Sequence, residues 1–288
     1  MRRLDVGLVA YGNPEGITRA VHSLRATMQT DYRILVVVNP HPDENKDAST
    51  MAAVAQQLPQ GRVEMKRMDT NVGYAGGVNE ILRWAETDYI AYSDHDASFN
   101  TPGWDERMCR LLDSKHEIGM LFPNGGAAMI PCGEYVEVLW GVGCAWVLTR
   151  LAYADVGPFD TQLGHHEEVD YQTRVRLAGY LVASIPEISV SHEAFSSSNP
   201  ASLERINRGV RAWVDKWAAY FGGKDVNYHS KNVIRHTDWN VHALHMEKFF
   251  LMKLGPINMN PETISVDGAE YDLIRVPRPK GYYRDRII

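Results

Sequence analysis

Asp88-Tyr89-Ile90-Ala91-Tyr92-Ser93-Asp94-His95-Asp96-Ala97-Ser98-Phe99 reads as a short buried strand that runs straight into two acidic side chains. Tyr89, Ile90, Ala91 and Tyr92 supply the β-branched and aromatic content of a strand inside an α/β sheet, and Pro102 permits a helix to start soon afterwards. Asp94 and Asp96 then fall at the strand's carboxyl end, the edge where open α/β sheets bind ligands. With no Lys or Arg between them, they form a concentrated hard-oxygen site suited to Mg²⁺ or Mn²⁺ holding a diphosphate. Taken alone, the same residues could be an acidic turn that caps the next helix, so the rest of the chain has to decide.

Upstream, Leu4 to Tyr11 forms a first strand ended by Gly12-Asn13-Pro14, and Glu15 to Met28 follows with helical spacing at Ile17, Val21 and Leu24. Tyr32 to Val38 is an almost continuous apolar strand, as a sheet covered on both faces requires, and Asn39-Pro40-His41-Pro42-Asp43 breaks it. A helix from about Ala48 to Leu58 and a strand from Arg62 to Met68 complete an alternation that predicts a doubly wound, mainly parallel sheet. The loop Asn71-Val72-Gly73-Tyr74-Ala75-Gly76-Gly77-Val78-Asn79 leads into a further helix. Its glycines let a ligand approach the backbone, although it has neither dinucleotide-binding nor P-loop spacing.

Downstream, Gly141-Val142-Gly143-Cys144-Ala145-Trp146-Val147-Leu148-Thr149-Arg150 is a glycine-led strand, and Val156-Gly157-Pro158-Phe159-Asp160 is a turn. Glu167-Glu168-Val169-Asp170-Tyr171-Gln172-Thr173-Arg174 begins an acidic helix, and a strand from Tyr180 to Val190 ends near His192. In this order the segments resemble family 2 inverting glycosyltransferases of the GT-A fold over about residues 4 to 222. The resemblance implies a GT-A catalytic domain over residues 1–200. It implies metal-dependent, inverting transfer of a sugar from a nucleotide-diphosphate sugar to an acceptor hydroxyl, with Mn²⁺ or Mg²⁺ as cofactor.

Carried over residue by residue, the resemblance places Asp94, Asp96 and His192 on the metal, with Asp94 also near the donor ribose. Tyr11, Asn39, Asn71, Gly73 and Asn79 go to the donor. Glu168 stands at the general-base position, with Glu167 and Asp170 as neighbouring candidates. Trp140, Gly141 and His166 are placed on the acceptor side by their nearness to the glycine-led strand and the acidic helix. Three departures matter: Asn39 stands where the family has a uracil-reading Asp, Gly12 replaces an Asn, and Glu168 replaces an Asp. The nucleotide therefore stays open, as does the acceptor, which could be a glycan, a lipid-linked glycan, a protein or a modified nucleic-acid base.

Other chemistries fit less well. His166-Glu167-Glu168-Val169-Asp170 imitates a zinc-protease helix, but Asp takes the place of the second His. A sugar-1-phosphate nucleotidylyltransferase would need a basic first loop, and Tyr11-Gly12-Asn13-Pro14 has no cation. A non-catalytic glycan- or nucleotide-binding protein is the remaining alternative. Charge argues against a broad nucleic-acid footprint on the catalytic part: residues 200–288 hold 14 Lys and Arg against 10 Asp and Glu, leaving 16 against 26 before them. Three cysteines without metal-like spacing, no secretory signal and no transmembrane segment lead to the expectation of a soluble, cytoplasmic protein.

Residues 201–288 are expected to form a C-terminal helical extension and a Pro-rich tail. Leu203, Ile206, Val210, Trp213, Trp217 and Tyr220 make one apolar helical stripe, and a second helix is expected from about Asp238 to Leu254. The tail has three roles open to it: an acceptor-side cover, an oligomer contact or a surface arm.

Overall fold

The computed structural model describes residues 3–127, 130–138, 140–193, 208–209, 211–213 and 215–216, together with the backbone of 262–266 and 269–273. The elements run β1 (Arg3–Ala10), α1 (Pro14–Thr27), β2 (Asp31–Val38), α2 (Glu44–Ala55), β3 (Val63–Arg67), α3 (Gly73–Trp84), β4 (Tyr89–Asp94), β5 (Ala97–Phe99), α4 (Trp104–Ser114) and β6 (Ile118–Pro123). Then come the short strands β7 (Gly126–Ala127), β8 (Ile130–Pro131), β9 (Val136–Glu137) and β10 (Trp140–Gly141). After them follow β11 (Ala145–Thr149), α5 (Arg150–Val156), α6 (Glu167–Leu177), β12 (Leu181–Ile185) and β13 (Val190–His192). A hairpin, β14 (Glu262–Val266) and β15 (Ala269–Leu273), lies in the tail where only polar, Pro-rich chain was expected. The helix expected at 238–254 falls outside the described residues.

Among the described residues nine strands make one sheet in the order β3-β2-β1-β4-β11-β6-β12-β9-β8. β2 shows why its sequence is apolar from Ile34 onward: Ile34, Val36 and Val38 enter the core shared with α1, α2 and α4, while Leu35 and Val37 enter the core shared with α3, α5 and α6. The sheet is mainly parallel, as expected, with β11 reversed inside it. β3, β2, β1 and β4 are mutually parallel, but β11 inserts antiparallel between β4 and β6. The crossover through α4 leaves one sheet position free between β4 and β6, and the chain returning from the short strands fills it from the opposite direction. β12 is parallel to β6, with β9 and β8 antiparallel at the edge.

Other boundaries moved for local reasons. α2 starts at Glu44, earlier than expected, because the Asp43 carboxylate accepts from the backbone N–H groups of Asn45 and Lys46. The single strand expected from Tyr180 to Val190 is broken at Pro186, and its second half, β13, pairs antiparallel with β5 instead. α3 lies close on β1, since a Cβ at Gly77 would come within 2.7 Å of the Val9 side chain. That close approach sets the position of the loop before α3.

Candidate active site

β4 delivers Asp94 and β5 begins just beyond Asp96, so the two carboxylates lie where the sheet's central strand leaves the core. The β5–β13 pairing sets His192 opposite Ala97, which carries the ring to the same place. His192 Nε2 lies 3.1 Å from Asp96 Oδ1 and 3.4 Å from Asp94 Oδ2, and one donor atom from each of the three residues fits within 4.8 Å. Further bonds fix the cluster: the Tyr92 hydroxyl donates to Asp94 Oδ1 at 2.8 Å, and His95 Nδ1 meets the Val9 carbonyl at 2.9 Å. β13 is itself clamped, because Asn124 accepts from the Val190 N–H at 2.7 Å and donates to the Val190 carbonyl.

Hydrogen bonds to Asp94 and Asp96 push the His192 imidazole up to about 10, against its burial. Burial raises the Asp96 carboxyl, but the bond to His192 and the positive field of His95 and His192 outweigh it and lower it overall. A protonated ring thus balances two carboxylates, and a divalent cation would take that proton's place. Two oxygens and one nitrogen are a donor set that Mn²⁺ accepts readily and Mg²⁺ tolerates. Ligand atoms on one edge of an octahedron with bonds of about 2.1 Å lie roughly 3 Å apart, close to the separations seen here. The residues fit such an ion.

Glu168 reaches the same locus through the antiparallel strand. β11 pairs Ala145 with Ser93, and the Asp94 N–H donates to the Cys144 carbonyl at 2.8 Å. One residue earlier, a Cβ at Gly143 would lie 2.6 Å from Glu168 Cγ, so the glutamate side chain rests directly on this glycine. Burial, then the neighbouring charge of Glu167 and that of Asp94, raise the Glu168 carboxyl to about 8. Burial beside Asp94 and Asp96 likewise pushes the Cys144 thiol up to about 12, so it stays neutral. The three segments therefore converge: two strand ends supply the cluster, and the start of α6 supplies a carboxyl that titrates in the range useful for proton transfer.

The other sequence-derived candidates divide. Tyr11 is 36% exposed at the end of β1, its ring 4.7 Å from that of His41. Asn71 and Gly73 are exposed at the start of α3, where Asn71 Oδ1 accepts from the Gly73 N–H. Asn39 and Asn79, in contrast, are buried and spend their amides on the backbone. Asn39 accepts from Val72 N and donates to Gly73 O, whereas Asn79 accepts from Phe159 N and donates to Phe159 O. They hold the loop before α3 and the backbone at Phe159.

Asp170 is fully buried against Arg174 and Lys216, which removes it as a base candidate, and Glu167 is buried as well. His166 is buried next to His165 in a left-handed conformation (φ 68°), so it is a backbone corner rather than an acceptor contact. Gly141 is held on both sides by the Gln172 amide, and the backbone of Trp140 pairs with Ala127. Half-exposed Val142 stands between them and Glu168's glycine. His41, Asn124 and Gln172 went unread in the sequence. An aromatic ring in a Pro-His-Pro turn was the one local signal, and the two amides carry none.

The family model for glycosyl transferase family 2 matches residues 5–123. No protein of curated function matches the sequence. Solved structures share the fold at low identity. A mannosyltransferase from Pyrobaculum calidifontis, in complex with GDP-Man and Mn²⁺, is 14% identical, with TM-score 0.59 over 86% of this chain and 75% of that one. TarS residues 1–349 from S. aureus, with UDP-GlcNAc, gives 14% and 0.59 over 96% and 98%. GalNAc-T7 with UDP, GalNAc and Mn²⁺ gives 14% and 0.60 over 88% of this chain and 57% of that one. With the family 2 model matching residues 5–123 and the GT-A fold shared by the central sheet, the protein is a glycosyltransferase.

Proposed function

We propose that the protein transfers a sugar from a nucleotide-diphosphate donor to an acceptor hydroxyl by a single inverting displacement, with Mn²⁺ or Mg²⁺ held by Asp94, Asp96 and His192. The observation that carries this is the β4–β11 register: it sets the cluster beside Gly143, against which Glu168 lies. The bound ion would act as a Lewis acid on the departing diphosphate. Glu168 takes the acceptor proton, and its raised affinity for protons suits a base that works near neutral pH. Tyr11 offers a ring face to the donor base, and the exposed turn at Asn71 and Gly73 approaches the donor's polar groups. Asn39 and Asn79 act on the donor only through the loops they hold. Trp140 and Gly141 stay on the acceptor side by their nearness to Val142 and Glu168.

No helix among the described residues is long and apolar enough to cross a membrane. Three cysteines without metal-like spacing, Cys109, Cys132 and Cys144, fit the reducing cytoplasm in which we place the reaction. The test is product analysis. With Mn²⁺, a nucleotide-sugar panel and hydroxyl acceptors, the protein should release free nucleoside diphosphate and form a glycoside of inverted anomeric configuration by NMR. Release of pyrophosphate would identify a nucleotidylyltransferase instead, and retained configuration would remove the single displacement. Donor binding without any product would reduce the protein to a binder.

A further inference from the structure

Asp170 sits two residues beyond Glu168 on α6, has no exposed surface, and yet meets two cations. Arg174 Nε, one turn along the same helix, lies 2.9 Å from Oδ2, and Lys216 Nζ comes from outside α6 to within 2.8 Å of Oδ1. Lys216 also reaches Asp160 Oδ2 at 2.6 Å, next to the Phe159 backbone that Asn79 clamps. Residues 208–209, 211–213 and 215–216 are helical. Two more residues of that stretch touch the segment leading into α6. The Trp213 ring, 3% exposed, lies 6.0 Å from that of His166, and a Cβ at Gly209 would fall 2.4 Å from the Cβ of His165. Positions 209, 213 and 216 share one helical face, so that face lies along residues 160–170.

The first turn of α6 is strongly acidic and lacks a side-chain cap. Its cap residue, His166, is left-handed and makes no side-chain capping bond, while Glu167, Glu168 and Asp170 crowd three carboxyls into that turn. A buried carboxylate that loses one of its cations relaxes toward water, and its helix turns with it. Because residues of a helix rotate together, a shift at Asp170 displaces Glu168 on Gly143.

We propose that Lys216 is a positioning residue for Glu168: by bridging Asp160 and Asp170 it locks the first turn of α6 in the orientation that presents the base. The described residues between 208 and 216 then belong to the catalytic unit, which does not end near residue 200. This rests on the reading of Glu168 as the base.

The test uses the full chain at saturating donor. Lys216→Met should lower kcat about 10- to 100-fold, the scale of an ångström-sized misplacement, with donor KM and Mn²⁺ affinity within about threefold of wild type. Lys216→Arg, which can span the same two carboxylates, should restore kcat to within about threefold. Introduced into Glu168→Gln, Lys216→Met should cost nothing further, because the group it positions is gone. An unchanged kcat in Lys216→Met, no rescue by Arg, or the same loss on top of Glu168→Gln would each overturn the proposal. If the Met variant does not fold by circular dichroism, Lys216→Gln carries the same comparisons. Turnover retained by Glu168→Gln alone would instead overturn the base assignment, so the two failures are distinct.

Discussion

Glu168→Gln removes the proposed proton acceptor and keeps the shape. The side chain rests on Gly143 with its Cγ 2.6 Å from where a Cβ would be, and an amide of equal size fills the same space. Losing a general base costs about 10² to 10⁴ in rate, or roughly 3 to 5.5 kcal/mol of barrier. The pH profile adds a second signature. With the carboxyl at about 8, only about a tenth of wild-type molecules hold the ionised base at pH 7. Turnover should therefore climb by up to about tenfold between pH 7 and pH 9. A bound cation offsets the charge of Asp94, one of the causes of the shift, and so moves the kinetic midpoint below 8. The Gln variant should lose that rise.

Stability runs the opposite way. Burial opposes ionisation in the fold but not in the unfolded chain, so the folded value lies above the unfolded one. Wild type should lose stability relative to Glu168→Gln as pH rises from the ordinary carboxyl range to about 8, and no more above it. Steady-state kinetics at several pH values and thermal melts of both proteins read these quantities. A Gln variant with more than about a tenth of wild-type turnover, or with an unaltered pH profile, would refute the base assignment.

Gly143→Ala should push Glu168 back by about an ångström and lower kcat by about 10²-fold with donor binding intact, read by saturation kinetics; wild-type kcat would contradict the close packing. Asn79→Ala should strip two buried bonds from Phe159, costing roughly 1–3 kcal/mol for each unpaired group in urea unfolding, with donor affinity of the folded protein within about threefold. Weakened donor binding at unchanged stability would return Asn79 to the donor site.

What the sequence made legible follows the range of the physics involved. The almost continuous apolar run at Tyr32 to Val38 reads as a strand covered on both faces, and Asp94 and Asp96 could be placed because they end a strand. β11 looks the same locally whichever way it runs, so its antiparallel entry between β4 and β6 was not readable. The amides of Asn39 and Asn79 announce hydrogen bonds but not partners 34 and 80 residues away. Glu168 and Asp170 are about 200° apart on a helix, so one had to face away from the other's surroundings. Contacts distant in sequence, Gly143 with Glu168 and Lys216 with Asp170, separate the surroundings of the two.

Metal dependence is tested most directly by turnover of the metal-free protein with donor and acceptor, before and after Mn²⁺ is restored, alongside Asp96→Ala. Wild-type nucleoside diphosphate release should vanish in excess chelator and return with Mn²⁺, while Asp96→Ala, which lacks the oxygen 3.1 Å from His192, should stay inactive at the Mn²⁺ concentration that saturates wild type. Full release in excess chelator, or full activity of Asp96→Ala, would contradict a metal held by Asp94, Asp96 and His192.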